Sequence, residues 1–342
     1  MDNRLNVEDF LAKSKGGVII DVRSPSEYRN GHIEGAYNIP LFSDEERAVV
    51  GTIYTQTGKE EAVEKGLEFV SRKMIAFVRQ AKELSNGRRL CLYCWRGGMR
   101  SGSMAWLFST AGMKTYVLEG GYKAYRNALN ATVEKFRGKL IVLGGPTGGG
   151  KSEILSIMSK LGEQVLDLEG LANHKGSAFG GLGAGKQPTT ETFINKIHHF
   201  LSHADPNRTL WCEGESKSIG SVYIPDAFFN LMRESTYIYM DVPIEIRIER
   251  LVKEYGNIDK NLLKESFIKI TKRLGGQNCA DALDAIEKGN LAKAAGIALL
   301  YYDKSYKTSI SKMGKIVPLQ TDEDNPLENA KKIIDRFSIR NH

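Results

Sequence analysis

The sequence predicts two α/β domains in tandem, each built on a mostly parallel sheet, with a mainly helical part closing the second. Three observations predict it. Short apolar runs alternate with helical stretches over roughly the first 125 residues, a strand, glycine-rich turn and helix restart the pattern at Lys139, and 342 residues exceed what one hydrophobic core usually organises. The domains are drawn at 1–126 and 139–342, with 127–138 as a helical connector.

In order, GVIIDVRS (Gly17–Ser24), LCLYC (Leu90–Cys94) and TYVLEGG (Thr115–Gly121) read as strands, each a short apolar run closed by charge or glycine. Between the first two, residues 60–84 carry Phe69, Val70, Met74, Phe77 and Val78 at helical spacing and predict one long helix. RSGSMAWLFSTAG predicts a second helix stopped by Gly112, and YKAYRNALNATVEKFRG a helical connector closed by Gly138. In the second domain KLIVLGG is followed by strand candidates at QVLDLEG, RTLWCEGES and TYIYMDVP. From about Ile244 the pattern is helical apart from KIVPL.

The chain is 41% hydrophobic and 26% charged, and no apolar run approaches the roughly 20 residues of a membrane span. No membrane partner is expected. The N-terminal stretch lacks the cationic-then-apolar order of a secretory signal, so a cytoplasmic location is expected. Four cysteines make a poor disulfide framework and are expected as thiols. A net charge of +7 suits a polyanionic partner such as nucleic acid. Arg72–Lys73, Arg88–Arg89, Lys269 with Lys272–Arg273, and Lys304 with Lys307 either line a phosphate-tracking face or are solvated helix faces, the commoner fate of charge runs.

Two segments carry chemistry. Gly145, Pro146, Thr147, Gly148, Gly149, Gly150, Lys151 and Ser152 match G-x-x-x-x-G-K-[ST] between an apolar strand and a helix, the setting of a P-loop. Backbone N–H groups and the helix N-terminus there wrap a diphosphate, Lys151 adds a point charge, and Ser152 is the usual magnesium ligand. Asp167, Glu169, Glu213, Glu215 and Asp241 all stand near strand ends, and none marks itself as a hydrolytic centre. Diphosphate binding is therefore expected ahead of nucleotide hydrolysis, with the magnesium requirement open.

The second segment is Cys94 with Trp95, Arg96, Gly97, Gly98, Arg100 and Ser101, again between a strand and a helix. N–H groups can curl around the sulfur, the helix terminus and Arg96 or Arg100 favour its thiolate, and Gly97 and Gly98 permit the positive φ of a tight ring. A metal site lacks ligands: there is no second C-x-x-C, and His198, His199 and His203 read as surface residues. Cys91 reads as an interior strand residue, and Cys212 and Cys279 as buried or incidental thiols.

IIDVRSPSEYRNGHIEGAYNIP (Ile19–Pro40) and VLEGGYKAY (Val117–Tyr125), with the Cys94 loop, resemble a rhodanese-like domain over nearly all of the first domain. The resemblance gives Asp21 and Arg23 a scaffold role, tying strand to loop. One departure is the loop length: Cys94 to Arg100 is C-x5-R, longer than in most sulfurtransferases of this fold and equal to that of dual-specificity phosphatases and arsenate reductases. A wider ring suits a larger anion.

A rhodanese-like domain joined to a P-loop NTPase-like α/β domain, with GLANHKGSAFG (Gly170–Gly180) following the P-loop, resembles the tRNA 2-selenouridine synthase family along essentially the whole chain. That resemblance implies action on wobble 2-thiouridine in the anticodon loop of tRNA. A geranyl group would pass from geranyl diphosphate to the thiocarbonyl sulfur, and selenium from selenophosphate would then replace the geranylated sulfur, with Cys94 carrying it as a perselenide. Both donors would be co-substrates, with no tightly bound cofactor. His174 and Lys175 would contact phosphate or the uridine, or be an exposed basic pair in a glycine-rich turn. Glu213 and Glu215 would orient a metal or an aminomethyl substituent of the uridine, or cap a helix. The rival from the same fold is a sulfurtransferase supplying persulfide sulfur to RNA or cofactor biosynthesis. A phosphatase is disfavoured because WRGGM contains no acid, and a docking module because Cys94 is present.

Overall fold

The structure is a computed structural model in which residues 3–310, 313–321 and 325–338 are described. The chain forms two compact units, Met1–Ala131 and Thr132–His342. No helix among the described residues is long and apolar enough to cross a membrane.

The first unit runs β1 (Arg4–Leu5), α1 (Val7–Ser14), β2 (Val18–Asp21), α2 (Pro25–Asn30), β3 (Tyr37–Asn38), α3 (Asp44–Gln56), α4 (Lys59–Ser71), α5 (Met74–Ser85), β4 (Leu90–Tyr93), α6 (Met99–Thr110), β5 (Thr115–Leu118) and α7 (Gly121–Lys135), the last carrying the chain into the second unit. Its five strands pair in parallel in the order β1-β5-β4-β2-β3. Alternation along each strand splits the apolar residues between two faces. Val18, Ile20, Leu90, Leu92 and Val117 pack under Phe77 and Ala81 of α5 and Met104 and Phe108 of α6. Cys91, Tyr93 and Leu118 pack on the other face with Phe10 of α1 and Tyr122 and Tyr125 of α7. Cys91 is thus the interior strand residue its alternation predicts, and burial pushes its thiol up to about 11.

The long helix expected over residues 60–84 is two, broken at Arg72–Lys73. Lys73 turns inward at the break, its ammonium donating to the Leu41 carbonyl and pairing with Glu46. After the interruption Phe77 and Ala81 of α5 reach the sheet, while α4 joins the same core through Phe69 and Val70 and sets Gly66 against the Phe42 ring. Helical periodicity alone does not register such a change of direction.

Asp21 and Arg23 form a buried pair. The guanidinium donates to both Asp21 oxygens (2.6 Å at the closest) and to the Gly31 carbonyl (2.6 Å), and lies 3.9 Å from the centre of the Tyr122 ring. Strand β2, the loop before β3 and helix α7 are thereby tied together. Removing one partner strands the other charge, so Arg23→Ala is expected to destabilise the first unit by ~3–5 kcal/mol, measured as faster amide exchange in β2 and β4.

The second unit continues with β6 (Leu140–Gly144), α8 (Lys151–Lys160), β7 (Gln164–Leu166), α9 (Leu168–Ala172), α10 (Thr190–His203), β8 (Leu210–Glu213), β9 (Ser218–Ile219), β10 (Val222–Tyr223), α11 (Asp226–Glu234), β11 (Thr236–Asp241), α12 (Ile244–Tyr255), α13 (Lys260–Leu274), α14 (Gly276–Glu287), α15 (Leu291–Ile310), β12 (Ile316–Gln320) and α16 (Pro326–Phe337). Five strands pair in parallel in the order β12-β11-β6-β8-β7, with β6 central and buried throughout. The short hairpin β9–β10 is the one antiparallel pair among the described residues, and no apolar run in the sequence announces it. Helices α13, α14 and α15 enclose their own core around Phe267, Ala282, Ala285 and Ala298, into which Phe179 inserts.

His198 departs from the surface position expected of it. Helix α10 turns Phe193, Ile197, His198 and Leu201 inward, and burial pushes the imidazole down to about 4. Its Nε2 lies 3.0 Å from Thr132 Oγ1, while His199 and His203 are exposed. The basic clusters also differ from simple solvated faces: Lys73 is engaged as described, and Arg88 and Arg89 donate to the Ser85 and Lys13 carbonyls. The Lys307 side chain lies outside the described residues.

Candidate functional site

In the first unit β4 delivers Cys94 to the C-terminal edge of the sheet, where its side chain is buried. The loop that follows is clamped by its carbonyls. Cys94 O accepts from Tyr122 N–H (2.8 Å), Trp95 O from Lys123 N–H (3.0 Å), and Gly97 O from the Arg4 guanidinium (3.2 Å). No protein acceptor among the described residues takes the N–H groups of residues 95–98. A ring whose carbonyls are held from outside and whose N–H groups are unclaimed among the described residues presents the donor set of an anion cradle, extended by the start of α6.

Gly97 adopts φ +63°, as the tight ring requires, and a side chain there would strike the Leu118 carbonyl. Gly98 does not: it caps α6 at φ −94°. Gly121, at φ +60°, abuts the Cys94 carbonyl and the Gly97 amide so closely that any side chain would push the loop away. Ser101 Oγ lies 3.2 Å from Cys94 Sγ. Arg100, expected beside the sulfur, reaches instead to Glu27 of α2 (2.7 Å). Burial works to raise the Glu27 carboxyl, and its bonds from Arg100 and the Ser24 N–H more than offset this, leaving it below the ordinary range. Arg96 is exposed and makes no ion pair among the described residues.

In the second unit the P-loop leaves the central strand β6 and enters α8 through Gly150, at φ +79°. Gly148, at φ +77°, packs against the Arg247 backbone. Lys151 Nζ donates to the Gly145 carbonyl (2.9 Å), and Gly145 N–H donates to the Tyr306 hydroxyl, which lies 2.6 Å from that of Tyr237. Arg247, buried and paired with Asp303 (2.6 Å), donates to the Thr147 carbonyl (2.9 Å). These supports come from α12 and α15, far along the chain, and nothing in the sequence marks them.

A cavity of about 1640 Å³ opens over this loop. Of the acids read from the sequence, Glu169 and Glu215 line it and Glu213 does not. Glu213 is buried and accepts the Leu168 N–H (2.8 Å), holding α9 to β8. Glu169 accepts from Ser152 Oγ (2.6 Å). These two adjacent hard oxygens fit a magnesium ion. Burial pushes Glu215 up to about 8, with Glu169 adding to the rise and Lys151 opposing it. Asp241 closes β11, and its carbonyl accepts from Thr321.

A carboxyl raised in the folded state binds its proton over a pH range where the unfolded chain has lost it. Its stabilising contribution is full below about 4.5 and is lost as pH rises to about 8. Glu213 is shifted in the same direction by burial and by Asp167. Glu215→Gln is expected to flatten, without abolishing, the fall in Tm of the second unit across that window, read by calorimetry at a series of pH values.

Residues 174–178, the middle of GLANHKGSAFG, also line the cavity. Gly176, at φ +68°, rests on the Glu215 carboxyl, Lys175 pairs with Glu254 of α12, and Ala178 N–H donates to the Tyr302 hydroxyl (2.9 Å). His174 points inward: its Nδ1 is buried without a hydrogen-bond partner among the described residues, and burial lowers its pKa against the pull of Glu169. Beside Thr147 opens a small apolar crevice of about 60 Å³, lined by Phe179, Leu251, Tyr255, Phe267 and Ala298. The P-loop and an apolar wall are thus adjacent.

Residues 138–333 match the family described as tRNA 2-selenouridine synthase AAA domain, and residues 6–128 match the rhodanese-like domain. The tRNA 2-selenouridine synthase of Nitrosomonas europaea is 39% identical over 251 residues, covering 69% of this chain and 63% of the relative. That of Shewanella frigidimarina is 34% identical over 344 residues, covering 89% of this chain and 91% of the relative. The match thus spans less than two thirds of the Nitrosomonas protein and nearly all of the Shewanella one. By these matches, and with both cradles in place, the chain belongs to the tRNA 2-selenouridine synthase family.

Proposed function

We propose that the chain converts wobble 2-thiouridine of tRNA to 2-selenouridine in two steps, one at each cradle. In the first, the thiocarbonyl sulfur attacks C1 of geranyl diphosphate, the C–O bond breaks, and pyrophosphate leaves into the P-loop. Lys151 and the loop N–H groups stabilise the charge that develops there. A magnesium ion on Ser152 and Glu169 would add positive charge at the same oxygens. Burial and the neighbouring Glu169 push the Glu215 carboxyl up, toward the protonated form that is a poor base for water, which favours transfer over nucleotide hydrolysis. The apolar crevice beside Thr147 offers a prenyl tail a dry surface, at about 0.8 kcal/mol for each methylene buried.

In the second step selenophosphate enters the Cys94 ring. The sulfur attacks phosphorus, the P–Se bond breaks, and hydrogen selenide is released inside the cradle. Selenide adds at C2 of the geranylated base and expels geranylthiol, and water clears the phosphocysteine as orthophosphate. The perselenide expected from the sequence is less economical in electrons: it would reduce phosphorus to phosphite and require a further reductant to free the selenium. Phosphoryl transfer requires neither.

The observation that carries this reading is the presence in one chain of a diphosphate loop at a large cavity and a thiol seated in a C-x5-R anion ring. The test is nucleoside mass spectrometry of 2-thiouridine tRNA incubated with wild-type protein and geranyl diphosphate, with and without selenophosphate. Geranyl-thiouridine without it and selenouridine with it are expected. Unmodified thiouridine in both arms contradicts the reading and returns the sulfurtransferase to the front.

A further inference from the structure

The P-loop and its acids occupy only part of the second unit's cavity. At about 1640 Å³ the cavity exceeds the roughly 300–1,000 Å³ of a small-molecule site, so one prenyl diphosphate does not account for it. Another part of the lining comes from α12, α13 and α15, and includes Lys253, Arg273, Tyr301 and Tyr302. None of these residues belongs to the P-loop or to its supports.

Their arrangement is specific. Tyr301 and Tyr302 have ring centroids 5.0 Å apart at an interplanar angle of 56°, and the Arg273 guanidinium donates to the Tyr301 hydroxyl (3.2 Å). Arg273 and Lys253 are exposed and pair with no carboxylate among the described residues. Of the two cavity acids on α12, Glu254 is taken by Lys175, and Glu249, one turn before Lys253, forms no ion pair among the described residues. Tyr302 binds the GLANHKGSAFG loop through Ala178, which links this wall to the acids beside the P-loop. An aromatic face flanked by cations that no ion pair occupies is the chemistry that holds a single-stranded nucleotide, the ring stacking on a base and the cations taking phosphates.

We propose that Tyr301 and Arg273 form a nucleotide subsite of the P-loop cavity, where Tyr301 stacks a base of an RNA loop and Arg273 holds a neighbouring phosphate. The thiouridine and the prenyl diphosphate then meet in one cavity. This rests on the tRNA reading above and names the surface of the second unit that receives the RNA.

The test measures binding of a fluorescently labelled anticodon stem-loop containing 2-thiouridine to the full chain as wild type, Tyr301→Ala, Tyr301→Phe and Arg273→Gln. Geranyl diphosphate binding is measured in parallel by calorimetry. Tyr301→Ala is expected to weaken RNA binding about tenfold, while Tyr301→Phe, which keeps the stacking face, stays within about twofold of wild type. Arg273→Gln is expected to weaken RNA binding and to reduce the log–log salt slope by about 0.7–0.9. Affinity for geranyl diphosphate is expected to hold in all three. Unchanged RNA affinity in Tyr301→Ala and Arg273→Gln, with wild type binding, overturns the subsite and leaves the tRNA reading standing. Parallel loss of both ligands also overturns it, because a separate subsite predicts that the two affinities part. A wild type that does not bind the RNA overturns the tRNA reading itself.

Discussion

Cys94→Ser protein given 2-thiouridine tRNA, geranyl diphosphate and selenophosphate is expected to accumulate geranyl-thiouridine and to make no selenouridine. The physical ground is that the two cradles belong to different units. Cys94 lies in the first unit's ring, whereas the P-loop, its supports from Arg247 and Tyr306, and its cavity all lie in the second. Serine fits the buried position and can keep a bond to Ser101, so the ring should persist while its nucleophile is lost. Selenation should fall by at least about a thousandfold, the order of loss that follows removal of a covalent nucleophile. Geranylation should stay within about twofold. Mass spectrometry of digested nucleosides reads both products in one sample, and intact-protein mass spectrometry of wild type with selenophosphate alone should show a phosphorylated Cys94.

Lys151→Ala is expected to lower the geranylation rate by about 10²–10³, the usual cost of removing one donor from a developing anion. Release of pyrophosphate from geranyl diphosphate in the presence of thiouridine tRNA measures it. Lys151 also donates to the Gly145 and Pro146 carbonyls, so its removal loosens the loop as well as taking away charge. Ser152→Ala separates the two contributions. It removes the hydroxyl that Glu169 holds and leaves Lys151 in place, so a smaller loss is expected.

The two cradles were legible in the sequence because each is local. A strand, a glycine-rich turn and a helix are contiguous, and the same residues that make the turn supply its chemistry. Asp21 and Arg23 were legible for the same reason, lying two apart at a strand end. What holds the cradles was not legible. Arg247 and Asp303 meet across 56 residues to support Thr147, and Glu27 reaches Arg100 across 73, pairings that no periodicity encodes. The Arg100 expectation changed on that account: a carboxylate from α2 claims the guanidinium that the motif assigns to the anion, while Arg96 is left exposed. Glu213 and Glu215 are two apart and look equivalent in the sequence, yet one pins α9 and the other faces the cavity. The strand ends at Glu213, and the chain turns before Glu215. His198 is buried against expectation, because a histidine beside two exposed ones gives no local sign of pointing inward.

The most direct measurement supplies the intermediate itself. S-geranylated 2-thiouridine tRNA, prepared chemically, is offered with selenophosphate to Lys151→Ala protein, and the nucleosides are analysed by mass spectrometry. Two steps at two cradles predict selenouridine at a rate close to that of wild type, since the P-loop has no remaining part to play. Failure of Lys151→Ala to make selenouridine from this substrate, where wild type makes it, would contradict the division of the reaction between Lys151 and Cys94.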